Sequence, residues 1–283
     1  MGLGDYIRLL RPAQWYKNLL VFLPLIFALR LGNTMAVWHS IIAFISFCAL
    51  SSTTYIINDY ADRNIDKLNP EKANRPIASG AVGPIEALTL VLLLTAVGFG
   101  TAIVLPLPFL YTALGYFALS QIYTAWLKHE TFADILAISI NFVIRAVAGA
   151  FAIPVNVSPW LIAGIFFLAL FLTLGKRRSE LMLLKDKAFA QRPALAGYSP
   201  DVVSRLSALA TTALVISYTL YVFFGEHKWL YVTLPIALYC IFRYETIISS
   251  GSKISRHPER VFTDARMVIA MIIWVGLTLA VLY

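Results

Sequence analysis

The chain has 283 residues, of which 59% are hydrophobic and only 13% charged, and its formal net charge is +8. Soluble domains run near 25% charged, so this composition, with a mean hydropathy of +0.76, excludes a soluble globular domain and predicts an all-α integral membrane protein. Nucleic-acid binding is not supported either, because the basic residues form no groove with stacking aromatics.

Crossing the hydrocarbon takes about 20 apolar residues. Nine segments qualify, at about residues 16–32, 36–57, 84–104, 107–127, 131–153, 159–175, 201–224, 229–249 and 265–282. They fill residues 1–283 as a single transmembrane domain. With the N-terminus in the cytoplasm, twenty of the 23 Lys and Arg fall on the inner side, two on the outer side, and one, Arg145, inside a span. This is the positive-inside pattern of a plasma-membrane protein with nine crossings and an outer C-terminus. The outer connections are tight turns, whereas two inner loops, about 58–83 and 176–200, are long and polar. They follow the second and the sixth span, which suggests two halves of four helices plus one. A third inner segment, 249–264, is basic and placed to close over the same face. Cys48 and Cys240 lie within spans and read as apolar fillers, with no disulfide or metal spacing.

The first span opens with Arg11-Pro12, Gln14-Trp15 and Lys17-Asn18. Lys17 stands where it either snorkels to the headgroups or binds a lipid phosphate. The second span ends in NDYADRNID. At about 100° per helical residue, Asn58, Asp62 and Asp66 climb one stripe with Asp59 beside them. Like charges at this spacing repel, so the cluster needs a counter-charge. In a soluble protein it reads as a solvated acidic helix end. At the mouth of an apolar run it reads as a seat for Mg2+, which takes a few carboxylates and completes its shell with substrate phosphates. Asn69-Pro70 then turns the chain, and Lys67, Lys72 and Arg75 bring cations to the same place. They form either a surface ion-pair network or a diphosphate site.

Tyr55 and Tyr123 stand near inner helix ends, as interfacial anchors or as site residues. Trp126-Leu127-Lys128-His129 closes the fourth span on a short inner turn. Arg145, one turn after Asn141, lies in the middle of the fifth span, where an arginine is costly and faces protein rather than lipid. It either cross-links helices or binds a phosphate. The sixth span ends in Gly175-Lys176-Arg177-Arg178-Ser179-Glu180, with Asp186 further on.

The run from Asn58 to Asp66, with Asn74-Arg75-Pro76-Ile77-Ala78-Ser79-Gly80 after it, resembles the first signature of the UbiA superfamily of intramembrane prenyltransferases. That resemblance implies nine transmembrane helices in a UbiA-type bundle, a central cavity facing the cytoplasm, and Mg2+ held by Asn58, Asp62 and Asp66. Members that use prenyl diphosphates carry a second aspartate pair after the sixth helix. Here the corresponding stretch is basic, with Glu180 its one carboxylate. This departure, together with the Arg11–Asn18, Trp126–His129, Phe142–Gly149 and Lys176–Glu180 stretches, is similar to the decaprenyl-phosphate phosphoribosyltransferase branch.

The resemblance implies transfer of 5-phosphoribosyl from phosphoribosyl diphosphate (PRPP) to polyprenyl phosphate, yielding a lipid-linked phosphoribose for cell-wall arabinan. Such a reaction needs no strong base, since the lipid phosphate is already an anion. It needs two polyanions brought together and the leaving diphosphate neutralised. Asp59, Asp62 and Asp66 would organise the metal. Lys17, Asn18, Tyr55, Lys67, Arg75, Tyr123, Lys128, Arg145, Lys176, Arg177 and Arg178 would bind substrate, and Glu180 would accept from ribose hydroxyls or join the metal shell. Two other readings stand beside it. One is a prenyltransferase moving an isoprenyl chain to an aromatic acceptor, which must explain the missing second aspartate pair. The other is a transporter, which would place its ionisable groups at the midplane. Oligomeric state leaves no signal in the sequence.

Overall fold

The computed structural model describes residues 2–69, 71–184, 194, 197–225, 227, 229–249 and 258–283. Every regular element among them is helical. In chain order these are α1 (Leu3–Leu10), a 3₁₀ segment (Pro12–Phe22), α2 (Leu23–Phe27), α3 (Thr34–Ala61), α4 (Arg63–Lys67), α5 (Pro84–Ala102) and α6 (Leu107–Ala125). Then come α7 (Ala133–Ala152), α8 (Pro159–Leu184), α9 (Pro200–Phe224), α10 (Leu234–Ser249) and α11 (Ala265–Leu282).

Seven of the nine expected spans are helices long and apolar enough to cross a bilayer. The two departures have physical causes. The segment expected at 16–32 is not one α-helix. Pro12 opens its 3₁₀ stretch, Pro24 lies in the first turn of the five-residue α2, and Leu29 takes a positive φ of 55° that ends it. The other is α6, which has 19 residues but dilutes its apolar character with Tyr111, Thr112, Tyr116, Ser120 and Gln121. The sequence reading missed α1, which is too short to register as a span. It is amphipathic, and it buries Leu9 among Ile56, Ile77, Val82 and Ala87. Of the loop expected at 176–200, residues 176–184 instead continue α8, while 185–193, 195 and 196, including Asp186, lie outside the described residues, as do 250–257 of the segment 249–264 and Pro70.

The chain forms two compact units, residues 1–128 with 144–156, and residues 129–143 with 157–283, α7 being divided between them. In the first unit α3 is the central element. Asn33 caps it by accepting from the Ala36 amide at 3.0 Å, and the run from Ser46 to Thr54 is buried on every side. Small side chains make this possible, because they let neighbouring backbones approach closely. Their hydroxyls are satisfied locally: Ser51, Thr53 and Thr54 donate to the carbonyls of Cys48, Ala49 and Ser51 at 2.8–3.1 Å. Ser46 instead reaches the Gly98 carbonyl of α5 at 2.7 Å. The N-terminal segment is fastened to the same helix. Trp15 Nε1 donates to Ser52 Oγ at 3.1 Å, and Ser52 donates to the Leu10 carbonyl at 2.8 Å. The α7 backbone packs so closely on the 3₁₀ segment that a Cβ added at Gly149 would stand 2.0 Å from the Val21 carbonyl oxygen.

The second unit packs Ile135, Phe171, Leu174, Tyr198, Val203, Leu214, Tyr244 and Ile248 into one core. At Gly175 an added Cβ would meet Ile248 Cδ1 at 2.4 Å, so a larger residue where α8 crosses α10 would make the Ile248 side chain shift. The polar centre of this unit is an ion pair. Arg177, 1% exposed, donates from Nε to Asp134 Oδ2 at 2.9 Å and from Nη1 to Glu180 Oε2 at 2.6 Å. The other Asp134 oxygen accepts from the Tyr198 hydroxyl at 2.7 Å, and that hydroxyl accepts from the Phe132 amide at 3.0 Å. Burial and then the Asp134 carboxylate push the Tyr198 phenol above its ordinary range, which keeps it a proton donor. Both Asp134 oxygens are thereby engaged, as a charge removed from water requires.

Two stability outcomes follow. Gly149→Ala forces α7 off the 3₁₀ segment and costs at least the roughly 1–3 kcal/mol typical of overpacking; Gly164→Ala, where nothing lies within 4 Å, should be near neutral. Asp134→Ala leaves the buried Arg177 with less compensation and costs about 3–5 kcal/mol. Thermal melts of the detergent-purified variants against the parent chain measure both.

Candidate active site

The acidic cluster sits where α3 ends. Had the helix continued, Asn58, Asp62 and Asp66 would share a stripe. Instead α3 stops at Ala61, Asp62 takes φ −89° and ψ 0° as its C-cap, and α4 begins at Arg63. That offset divides the acids into two sets.

In the first set Asn58 and Asp62 act together. Asn58 Nδ2 donates to Asp62 Oδ2 at 3.2 Å, and the Lys128 ammonium lies 2.6 Å from Asp62 Oδ1 and 3.4 Å from Asn58 Oδ1. Lys128 comes from the short turn after α6 and is 8% exposed. A single cation therefore rests on an amide oxygen and a carboxylate oxygen that the sequence reading assigned to the metal.

In the second set Asp59 and Asp66 share Arg75. Its Nη1 donates to Asp59 Oδ1 at 2.8 Å and to Asp66 Oδ2 at 2.6 Å. Asp59 Oδ1 also accepts from Arg11 Nη2 at 2.5 Å. Arg11 holds a left-handed φ of 53° between α1 and the 3₁₀ segment, and its guanidinium lies 5.1 Å from the Tyr55 ring centroid. Asp66 is 1% exposed. Among the described residues its Oδ1 has no hydrogen-bond donor, and the Lys72 ammonium stands 3.6 Å from it.

Among the described ion pairs, three carboxylates thus face four cations, Arg11, Lys72, Arg75 and Lys128. The counter-charge that the sequence demands is supplied by the chain itself. The donor chemistry fits Mg2+, since Asn58, Asp62 and Asp66 offer hard oxygens and Asp66 Oδ1 is a buried carboxylate oxygen with an open lone pair. No group of three His, Cys, Asp or Glu side chains converges on one point among the described residues. Collecting Asp62 and Asp66 on one ion therefore requires their cations to move.

A second polar group lies deeper in the first unit. Arg145, 4% exposed, donates from Nε to Asn18 Oδ1 at 2.8 Å and from Nη2 to the Tyr116 hydroxyl at 2.9 Å. Its guanidinium also lies 4.7 Å from the Tyr116 ring centroid. Asn18 is fully buried and donates onward to Ser51 Oγ at 3.1 Å and Cys48 Sγ at 3.3 Å. This geometry makes Asn18 the support of Arg145. Lys17 Nζ lies 5.8 Å from the centroid of its neighbour Tyr16. Tyr123 is half-buried on α6, and Lys67 is exposed at the end of α4.

The basic stretch after Gly175 belongs to the second unit. Lys176 is half-buried, Arg177 and Glu180 are locked together with Asp134, and Arg178 Nη1 pairs with Glu245 Oε1 at 3.1 Å. Reading the sequence alone did not connect Arg11 to Asp59, Tyr116 to Arg145, or Asp134 and Tyr198 to Arg177. The Arg11-Pro12 motif was the one signal available for the first of these.

Known proteins resemble the chain throughout its length. The model of the UbiA prenyltransferase family matches residues 19–267. A decaprenyl-phosphate phosphoribosyltransferase of Mycolicibacterium smegmatis is 31% identical over 98% of this chain and 92% of its own length. A decaprenyl-phosphate phosphoribosyltransferase of Corynebacterium glutamicum is 31% identical over 95% of this chain and 84% of its own. Among solved structures, a UbiA homologue from Archaeoglobus fulgidus bound to DMAPP and Mg2+ superposes with a TM-score of 0.77 at 22% identity, covering 98% of this chain and 99% of the homologue. The resemblance read from the motif of α3 and α4 thus extends to sequence and fold together. The chain is an integral membrane protein and belongs to the UbiA prenyltransferase family.

Proposed function

We propose that the protein is a polyprenyl-phosphate phosphoribosyltransferase. It moves the 5-phosphoribosyl group of PRPP to decaprenyl or a similar polyprenyl phosphate, releases diphosphate, and so makes a lipid-linked phosphoribose for cell-wall arabinan. The observation that carries this reading is the local charge at the end of α3, where three carboxylates are outnumbered by four cations. A site that must hold a diphosphate and a second phosphate has an immediate use for that excess. The names of the relatives with about 30% identity support the choice of donor and acceptor.

In this reading Asn58, Asp62 and Asp66 would hold Mg2+, which would supply charge to polarise the leaving diphosphate. Asp59 holds Arg11 and Arg75 in place for the same group. Arg75, Lys67 and Lys128 neutralise diphosphate oxygens, Arg145 holds a phosphate deeper in the first unit, and Lys17 takes the lipid phosphate. Tyr55 and Tyr123 border these groups. In the second unit Lys176 and Arg178 are anion ligands, and Arg177 orients Glu180 toward ribose hydroxyls. The single domain makes nine crossings of the plasma membrane, the 3₁₀–α2 segment and α6 completing the seven apolar helices. Its N-terminus and the acidic cluster face the cytoplasm, and its C-terminus faces outward.

Detergent-purified protein given Mg2+, labelled PRPP and decaprenyl phosphate should transfer label into the organic phase, and chelator should stop it. Absence of transfer, with a prenyl diphosphate consumed in the presence of an aromatic acid, would replace this reading by aromatic prenylation. Asp62→Ala and Asp66→Ala should each lower turnover by about 10²–10³-fold, the scale set by removing one charge-stabilising group, with circular dichroism unchanged. Full activity in either variant would sink the metal assignment. Glu180→Gln should raise the KM for PRPP and leave that for the lipid phosphate unmoved.

A further inference from the structure

Lys128 occupies the place of a metal ligand's partner. Its ammonium rests on Asp62 Oδ1 at 2.6 Å and Asn58 Oδ1 at 3.4 Å, two oxygens of the proposed Mg2+ shell. Asp66, 99% buried, contributes a carboxylate oxygen without a hydrogen-bond donor among the described residues. An ammonium and a divalent cation cannot share these oxygens, because two positive centres would then lie within a few ångströms of each other in a partly buried site, where screening is weak. Resting on the reading above, we propose that Lys128 is an exchangeable counter-ion. It closes the Asn58–Asp62 pair against metal until a polyanion arrives to take the ammonium, and it thereby couples metal binding to diphosphate binding.

The energetic argument has two sides. If Mg2+ binds alone, the ammonium must leave Asp62 for a position without a carboxylate, and that loss opposes metal binding. If Mg2+ binds with a diphosphate, the ammonium passes from a carboxylate oxygen to a phosphate oxygen, and the net count of charge-assisted contacts is kept. The difference is a coupling free energy between metal and anion, and coupling of this kind is reciprocal. Arg75, which bridges Asp59 and Asp66, is arranged for the same exchange on the other set. Its two carboxylates make it the less mobile of the two cations. Lys128 has one carboxylate partner among the described ion pairs and a flexible stem, so it is the group that moves. The opposition of Lys128 to metal binding is read most directly when no anion is present to take the ammonium.

The test therefore omits the anion. Mn2+ is titrated into the full-length protein in detergent, followed by the loss of its free electron paramagnetic resonance signal, for the parent chain and for Lys128→Met, Lys128→Gln and Lys128→Arg. The two neutral variants should bind Mn2+ on the order of 5–150-fold more tightly, the usual range of such couplings. Lys128→Arg, which keeps the charge, should stay near the parent value. Adding Asp62→Ala to Lys128→Met should abolish the gain, which ties it to this site. Equal or weaker affinity in both neutral variants overturns the exchange, while chelator-sensitive transfer by the parent chain would leave the phosphoribosyltransferase reading intact. No Mn2+ binding in any variant overturns the exchange and the metal assignment together.

Discussion

A carboxylate removed from water has to be answered by a positive charge, and the first unit is organised around that requirement. Asp59 and Asp66, both nearly inaccessible, draw two separate stretches of chain to them, and Asp62 draws a third. Arg11 comes from the N-terminal segment, 48 residues away from Asp59, and Arg75 from the loop beyond α4. Lys128 comes from the turn after α6, 66 residues from Asp62. Packing contributes as well, since Leu9, Ile77 and Val82 of the first two stretches form one buried cluster with Ile56 of α3. An uncompensated buried charge costs several kcal/mol, so the ion pairs and the packing of Leu9 on Ile56, Ile77 and Val82 together hold the N-terminal segment and the loop beyond α4 in place. The left-handed backbone of Arg11 fits the same explanation, for a non-glycine residue persists there only when its surroundings hold it.

The second unit solves an analogous problem with the signs reversed. Arg177 is the buried charge, and Asp134, Glu180 and Tyr198 surround it. Its neighbours in sequence, Lys176 and Arg178, are each half-buried. A basic triplet that reads as three equivalent phosphate ligands is therefore differentiated by the helix. At about 100° per residue, one of three consecutive side chains points into the core and must be neutralised there. Arginine suits the inward position, since its planar fork can serve two carboxylates at once. The consequence is that Glu180 is held by Arg177 before any substrate arrives.

Much of this architecture is legible in the sequence, and what is not has identifiable reasons. Apolar runs of about 20 residues announced seven helices, because hydrocarbon leaves few alternatives to a continuous helix. The N-terminal segment at 16–32 is not the continuous helix expected, because prolines act locally: Pro12 opens a 3₁₀ stretch and Pro24 the short α2 within a run whose composition is that of a crossing. The acid motif was legible as a cluster, but its division into two sets was not, since it depends on a helix ending at Ala61 rather than five residues later. Partners separated by tens of residues leave no periodic trace. Asp134 shows the difficulty well. In sequence it is an ordinary acidic residue in the first turn of a helix, a position where the macrodipole alone would favour it, and only the fold brings Arg177 to it.

The break after α3 also bears on how the acids can work. On a continuous helix, Asn58, Asp62 and Asp66 would present a preformed row of ligands, and like-charge repulsion would be relieved only by a metal. With the helix broken at Asp62, each set finds a cation of its own, Lys128 for one and Arg75 for the other. The cluster is then stable as it stands, and the same cations that stabilise it are those a diphosphate would need. On the proposed function, stability of the resting protein and neutralisation of the substrate would draw on one set of charges, which could serve only one of them at a time. A site built this way would bind a metal and a polyanion best when they come together.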